Sequence, residues 1–271
     1  MVNKIILLLL LNGLLYSQKM PEDYLEEGNE KFDAEDFEGA KLDYKYIIDN
    51  FSATEVYPFA MYNYGKCLQN TKQEKEAIVI YEGIIESSFD NKLLKATGSI
   101  MENPYANFSF YSCMSLGEIY QSKQEYDKAL KYYSLADTAD LFVTFCGNLA
   151  YEVKSDLLDN ISLCLFKLNR YKKVIKVLTP YLLSEYFDEN SEAGKYYIKS
   201  LNKIYSENEI VDILQETSRN LYKRNDKYYV YLFTNELTIY KRNSIYQFEF
   251  TSKDEARKTL MNNFLFKHYL N

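Results

Sequence analysis

The sequence predicts a mainly α protein: an α-solenoid of about four helix pairs, closed by capping helices and a small carboxyl-terminal α+β element. Three observations predict it. Apolar residues recur three and four apart through most of the chain. Small or apolar pairs recur twelve residues apart: Gly28 and Ala40, Gly65 and Ala77, Gly117 and Ala129, Ser162 and Val174. Past Arg224 the periodicity changes from helical to alternating. The corresponding boundaries are a leader over 1–17, helical repeats over 18–188, a capping pair over 189–224 and a β-meander plus helix over 225–271.

Taken in order, Met1 to Ser17 is a separate object. Lys4 gives a positive start, Ile5 to Leu11 is an unbroken apolar run, and Asn12-Gly13 interrupts it before Leu14-Leu15. The 11 residues from Ile5 to Leu15 are too few to span a bilayer, which takes about 20. The pattern fits an export signal cleaved after Ser17, although Leu15 departs from the preferred small residue. No cysteine lies near the junction, which disfavours a lipid anchor. An uncleaved anchor or a buried amino-terminal helix is the competing reading. Loss of Lys4 with the leader takes the net charge from −7 to −8.

The first pair runs from about Pro21 to Phe51, with Phe37, Ala40, Tyr44, Ile47 and Ile48 inward. The second runs from about Tyr57 to Phe89, with Pro58 in the first turn of a helix, where a missing N–H costs little. Next comes an insert near Lys92 to Ser109 holding the turn-like Thr97-Gly98-Ser99 and Asn103-Pro104. It reads either as a binding element or as a longer helix with a plain connector. The third and clearest pair is Phe110 to Asp137. Gly117 costs about 1 kcal/mol in a helix interior, and its expected use is close approach to the small Ala129, with Tyr126 and Tyr133 on the flanks. Phe145-Cys146-Gly147-Asn148 reads as a helix end followed by a left-handed glycine.

The fourth pair, Ser155 to Tyr186, is degenerate, and Pro180 should end or kink its second helix. Ile198, Leu201 and Tyr205, then Ile210, Ile213, Leu214 and Leu221, mark a further pair, with Ser206 and Glu209 as a capping box. Beyond it, Tyr228–Phe233, Leu237–Lys241 and Ile245–Phe250 read as three strands, turned at Asn235 and Asn243-Ser244. Ser252 and Glu255 cap a closing helix in which Ala256, Leu260 and Phe264 share a face. Forty-odd residues are marginal alone, so this element should pack on the preceding helices.

The repeated spacing, with Tyr44, Tyr81, Tyr133 and Leu178 four residues after each second member, resembles the tetratricopeptide repeat, a helix pair of about 34 residues. The family's tryptophan and closing proline are missing. The resemblance implies a right-handed curved rod whose concave side, lined by the first helix of each pair, binds a peptide or protein segment. Projected onto this chain, that face holds Asn29, Tyr62, Lys66, Gln69, Tyr111, Met114, Glu118, Gln121, Asp159 and Phe166. The protein's own insert or cap could instead fill it. Chaperone-tail binders of this family clamp a carboxylate with asparagines and three basic residues. Asn29 and Asn63 match the asparagines, but Leu25, Tyr111 and Ser115 stand at the basic positions, so no such clamp is expected. The Ser17-Gln18 junction and the Lys/Asn/Tyr-rich composition resemble exported proteins of Gram-negative bacteria.

No enzyme chemistry gathers. The lone His268 rules out multi-histidine metal sites and Ser-His-Asp arrangements, and no Gly-rich phosphate loop exists. Cys67, Cys113, Cys146 and Cys164 lack the close pairing of zinc ligands and read as buried thiols. Export would permit disulfides, with Cys113 and Cys146 the pair to test. The net charge of −7 argues against a general nucleic-acid binder. The expectation is a non-catalytic, cofactor-free adaptor of the cell envelope, periplasmic or secreted, with no transmembrane span in the mature chain and a protein partner. The alternative is a ligand-binding or enzymatic module seated on the carboxyl-terminal cap.

Overall fold

Helix starts follow from local chemistry. Pro21 and Pro58 sit in the first turns of α1 (Pro21–Asp33) and α3 (Tyr57–Asn70), where the missing N–H leaves nothing unpaired. Asp36 begins α2 (Phe37–Asn50) by accepting from Gly39 N at 3.0 Å. α4 (Glu74–Glu86) completes the first two pairs, with Glu74 and Glu76 in its positive first turn. The structure, a computed structural model, describes residues 19–87, 89, 107–138, 142, 144, 147–183, 187–239, 250 and 252–270. It divides into two compact units, Met1–Asp90 and Asn91–Asn271.

In the first unit α1 to α4 pack in chain order, and α1 also meets α3. Ala40, Tyr44, Ile47, Val56, Ala60 and Cys67 form a buried cluster, with Tyr24, Leu25 and Phe37 against it. The second unit contains α5 (Phe108–Ser122), α6 (Tyr126–Ala136), α7 (Gly147–Lys167) and α8 (Tyr171–Leu178), followed by a 3-10 turn over Thr179–Tyr181. Pro180 lies in that turn, so the second helix of the fourth pair ends where the ring forbids another amide bond. α9 (Glu192–Ile204) and α10 (Glu207–Arg219) follow. Ser206 N donates to Glu209 Oε2 at 2.7 Å and Glu209 N to Ser206 Oγ at 3.4 Å, the reciprocal box expected there.

One turn closes all four repeat pairs. Glu35, Lys72, Gln124 and Asn169 are left-handed, with φ of 60°, 64°, 60° and 57°. In each case the next N–H reaches back five residues: Asp36 to Lys31 O at 2.9 Å, Gln73 to Leu68 O at 2.8 Å, Glu125 to Tyr120 O and Arg170 to Leu165 O at 2.9 Å. That is the Schellman closure, which satisfies carbonyls the helix end would strand. The degenerate fourth pair is thus built on the same turn as the other three.

Four expectations are corrected. Gly117 does not chiefly make room for Ala129. A Cβ at Gly117 would collide with the ring of Tyr133; at Gly65 it would lie 2.8 Å from Tyr81 Cε1, and at Gly28 2.7 Å from Tyr44 Cε1. All three rings are fully buried, so the glycine admits an aromatic ring rather than a second small residue. Gly147 is not a left-handed helix end; it opens α7, because the apolar pattern extends back from Leu157 through Val153, Ala150 and Leu149.

The expected three-stranded antiparallel sheet is present, and the third correction concerns which segments form it. It is antiparallel in the order β1 (Tyr222–Arg224), β2 (Lys227–Leu232), β3 (Asn235–Ile239). The first strand had no counterpart among the expected ones: its three residues include Lys223 and Arg224, too short and polar to show alternation. Asn225 and Asp226, both at positive φ, make its two-residue turn. Asn235 opens β3 instead of turning before it. The expected strand at Ile245–Phe250, like its turn at Asn243-Ser244, lies outside the described residues apart from Phe250, whose ring centroid is 6.0 Å from that of Tyr228.

The closing helix is two. α11 (Lys253–Met261) stops before Asn263, and α12 (Phe264–Leu270) starts after it. Asn263 is buried; its Oδ1 accepts from Leu265 N at 3.0 Å and its Nδ2 donates to Leu182 O at 2.8 Å. This side chain both breaks the helix and ties the cap to the fourth pair. The cap packs on the preceding helices as its size requires: Phe264 meets Phe187, Arg257 Nε donates to Ser218 O at 3.0 Å, and Tyr269 OH donates to Asn202 Oδ1 at 2.7 Å. Ala256, Leu260 and Phe264 are buried, while His268 is exposed.

Candidate functional site

Within each unit the first helices of successive pairs meet, and Asn29, Gln121, Asp159 and Phe166 of the projected face lie at those seams. In the first unit Asn63 Nδ2 on α3 donates to Asn29 Oδ1 on α1 at 3.1 Å, and Tyr44 OH donates to the same oxygen at 2.8 Å. Gln69 Oε1 accepts from Tyr81 OH at 3.1 Å. Tyr62 is half-buried, its ring centroid 6.0 Å from that of Tyr81, and Lys66 is half-buried one turn further along α3. The two asparagines that match the clamp positions are therefore bonded to each other.

In the second unit Gln121 on α5 repeats the arrangement at the same register. Its Oε1 accepts from Tyr133 OH at 3.2 Å and from Cys164 Sγ on α7 at 3.8 Å. Tyr111 is half-buried, with ring contacts to Phe110 and Phe142, and burial pushes its phenol pKa up. Met114 is half-buried and Glu118 exposed on the same helix. At the next seam Asp159 Oδ1 on α7 accepts from Ala193 N at 2.7 Å, which caps the start of α9. Burial raises the Asp159 carboxyl pKa; the Ala193 bond opposes the rise, and Asp156 and Glu192 add to it. Phe166 sits 5.2 Å from Tyr171 and 5.1 Å from Tyr196, centroid to centroid.

Sequence reasoning put these ten side chains on the first helices but missed the groups behind them. Tyr44, Tyr81 and Tyr133 read as packing residues, yet their phenols fix three of the ten. The missed signal was the recurrence of an amide twelve residues before the tyrosine, Gln69 to Tyr81 and Gln121 to Tyr133. Burial pushes the thiols of Cys67 and Cys164 up to about 12, so both stay protonated; Cys67 packs as a small apolar group and Cys164 also donates to Gln121. Cys113 is buried too, and Cys146, its proposed partner, lies outside the described residues.

The cap carries a different cluster. Tyr222 is stacked between Tyr229 and Tyr231 at 5.6 and 5.9 Å, and the Arg224 guanidinium lies 4.5 Å from the Tyr229 centroid. Glu236 accepts from Tyr222 OH and from Arg224, and both bonds hold its carboxyl below the usual range. These groups satisfy one another. Among the described residues no group of three or more His, Cys, Asp or Glu converges as a metal site, and no helix is long and apolar enough to cross a membrane.

Stacked antiparallel helix pairs with a shared turn, joined at seams between first helices, define an α-helical repeat protein. Residues 60–91 and 110–141 match the tetratricopeptide repeat family, and this is a tetratricopeptide-repeat protein. The matched stretches are the second and third pairs, where the glycine, alanine and tyrosine positions are all kept. No curated protein matches the chain.

Proposed function

We propose that the protein is a non-catalytic interaction scaffold or adaptor of the cell envelope, exported with cleavage after Ser17, that holds a peptide or protein segment on the face of its first helices. Tetratricopeptide repeats generally mediate protein–protein interaction, which supports the partner class. The observation that carries the reading is the make-up of that face. On the first helices of the first unit half-buried Tyr62 and Lys66, and on those of the second unit half-buried Tyr111 and Met114, supply aromatic, cationic and flexible apolar groups beside amides already held in place. Export rests on the Lys4, Ile5–Leu11 and Ser17 pattern, which lies outside the described residues.

The test is capture from an envelope extract by the chain and by a Tyr62→Ala, Lys66→Glu, Tyr111→Ala variant. Truncating a central interface aromatic costs about 2 kcal/mol or more, roughly thirtyfold in affinity. Captured partners should be lost while the denaturation midpoint moves little. Undiminished capture would place the binding surface elsewhere. Intact-mass measurement should find Gln18 at the amino terminus; a chain retaining residues 1–17 would overturn the soluble exported form.

A further inference from the structure

We propose that α4 is the contact through which two copies of this chain associate, the two helices lying antiparallel across a two-fold axis between Val79 and Gly83. Gly28, Gly65 and Gly117 each leave room for a tyrosine ring of their own pair, but a Cβ built at Gly83 meets no atom within 4 Å. Gly83 lies inside α4 and is exposed, and glycine weakens a helix relative to alanine. One turn before it, Val79 is 67% exposed. A glycine that no packing inside the chain requires, beside an exposed aliphatic side chain, suits a second helix approaching from outside to about 8 Å between axes.

The charges on this stripe select a second copy as the occupant. Lys75, Gly83 and Glu86 all fall within about 40° of the line through Val79, the cation before the apolar centre and the anion after it. Neither Lys75 nor Glu86 has an ion-pair partner among the described residues. An antiparallel copy sets each Lys75 beside the other copy's Glu86, and each Val79 against the other's Gly83. Glu76 falls on the opposite flank of the stripe, away from both of these charges. Among the four repeat pairs only α4 carries this order. The register positions of Lys75, Val79 and Glu86 read Glu38, Leu42 and Asp49 in the first pair, where a copy would set acid against acid. In the third and fourth pairs the central position is Lys131 and Lys176, both exposed, so a copy would meet like charge there.

One helix against one helix is a small contact, so the association is weak and is read by sedimentation equilibrium of the purified protein over a concentration series. A monomer–dimer equilibrium that weakens with added salt is expected. Gly83→Gln has open space around it and a better helix former, so the thermal midpoint should not fall while association weakens about tenfold. Lys75→Glu and Glu86→Lys should each weaken self-association about tenfold, since each turns both ion pairs of the dimer into repulsions. An equal mixture of these two variants should associate as wild type does, because in the mixed dimer every position 75 again faces an opposite charge at position 86. Leu42→Lys should leave association unchanged. Sedimentation as a monomer at every concentration would overturn the inference, as would Gly83→Gln dimerising like wild type. A mixture no better than its components would overturn the antiparallel pairing, and a loss with Leu42→Lys equal to that with Gly83→Gln would overturn the placement on α4.

Discussion

The third helix pair, α5 with α6, and the fourth, α7 with α8, share one turn and differ in what fills the space between their helices. In the third, Gly117 leaves room for the Tyr133 ring, and the phenol reaches Gln121. In the fourth, Ser162 replaces the glycine and Leu178 the tyrosine, and the glutamine position becomes Phe166, set edge-on to Tyr171 and tilted against Tyr196. Ser162 Oγ turns back to Asp159 O at 2.9 Å. Between these two pairs the three positions differ together; in the first pair Gly28 and Tyr44 are kept although Phe32 stands at the glutamine position, because Tyr44 bonds Asn29 there instead. A leucine offers no hydroxyl, so an amide in front of it would lose its partner, and a third aromatic ring is the better neighbour.

That coupling can be broken at its tightest point first. Gly117→Leu should cost about 3 kcal/mol, because the new side chain must displace a fully buried ring. In a unit of this size the thermal midpoint should fall by roughly 6–12 °C. Gly65→Leu should cost less, since its tyrosine stands further off, and Ser162→Leu least. Equal midpoints for the three would remove the distinction between the pairs.

The second test converts one pair into the other. Tyr133→Leu alone should cost about 2 kcal/mol, from lost ring contacts and a Gln121 oxygen left with only the weak Cys164 thiol donor. Adding Gln121→Phe should recover about 1 kcal/mol, a coupling that denaturant titration of the double-mutant cycle can measure. Strict additivity would mean the two positions vary independently.

A smaller effect probes what the pairs share. Gln124 and Asn169 hold left-handed backbone without being glycine, and that conformation costs an L residue about 1 kcal/mol or more. Part of the relief is lost to the freer unfolded chain, so Gln124→Gly and Asn169→Gly should each stabilise by about 0.5 kcal/mol. A loss of stability in only one would show that the two turns are not equivalent.

The smallest expected effect is a pH dependence confined to the fourth pair. Burial raises the Asp159 carboxyl pKa above its unfolded value near 3.8. The folded state then holds its proton more tightly, so stability falls as pH rises from about 4 through the raised value. Asp159→Asn keeps an acceptor for Ala193 N and removes this titration. Its unfolding curves should therefore lose that part of the slope, whereas an unchanged slope would assign it to other carboxyls.

The sequence by itself determined the repeat. Helical periodicity and the spacing of glycine, alanine and tyrosine are local consequences of one helix packing on the next, and every residue involved lies within about 34 positions. Pro180, the Ser206–Glu209 box and the burial of Ala256, Leu260 and Phe264 were legible for the same reason. Only the tertiary structure decided that Tyr133 rather than Ala129 meets Gly117, since both lie on one face of α6 and the choice depends on the angle between helices. It alone decided that Cys164, 43 residues away, shares Gln121 with that tyrosine. It also decided that Asn263 stops a helix to reach Leu182, 81 residues back. A periodic pattern records which face is buried; which group on that face receives which hydrogen bond is set by chain segments too far apart to leave a period.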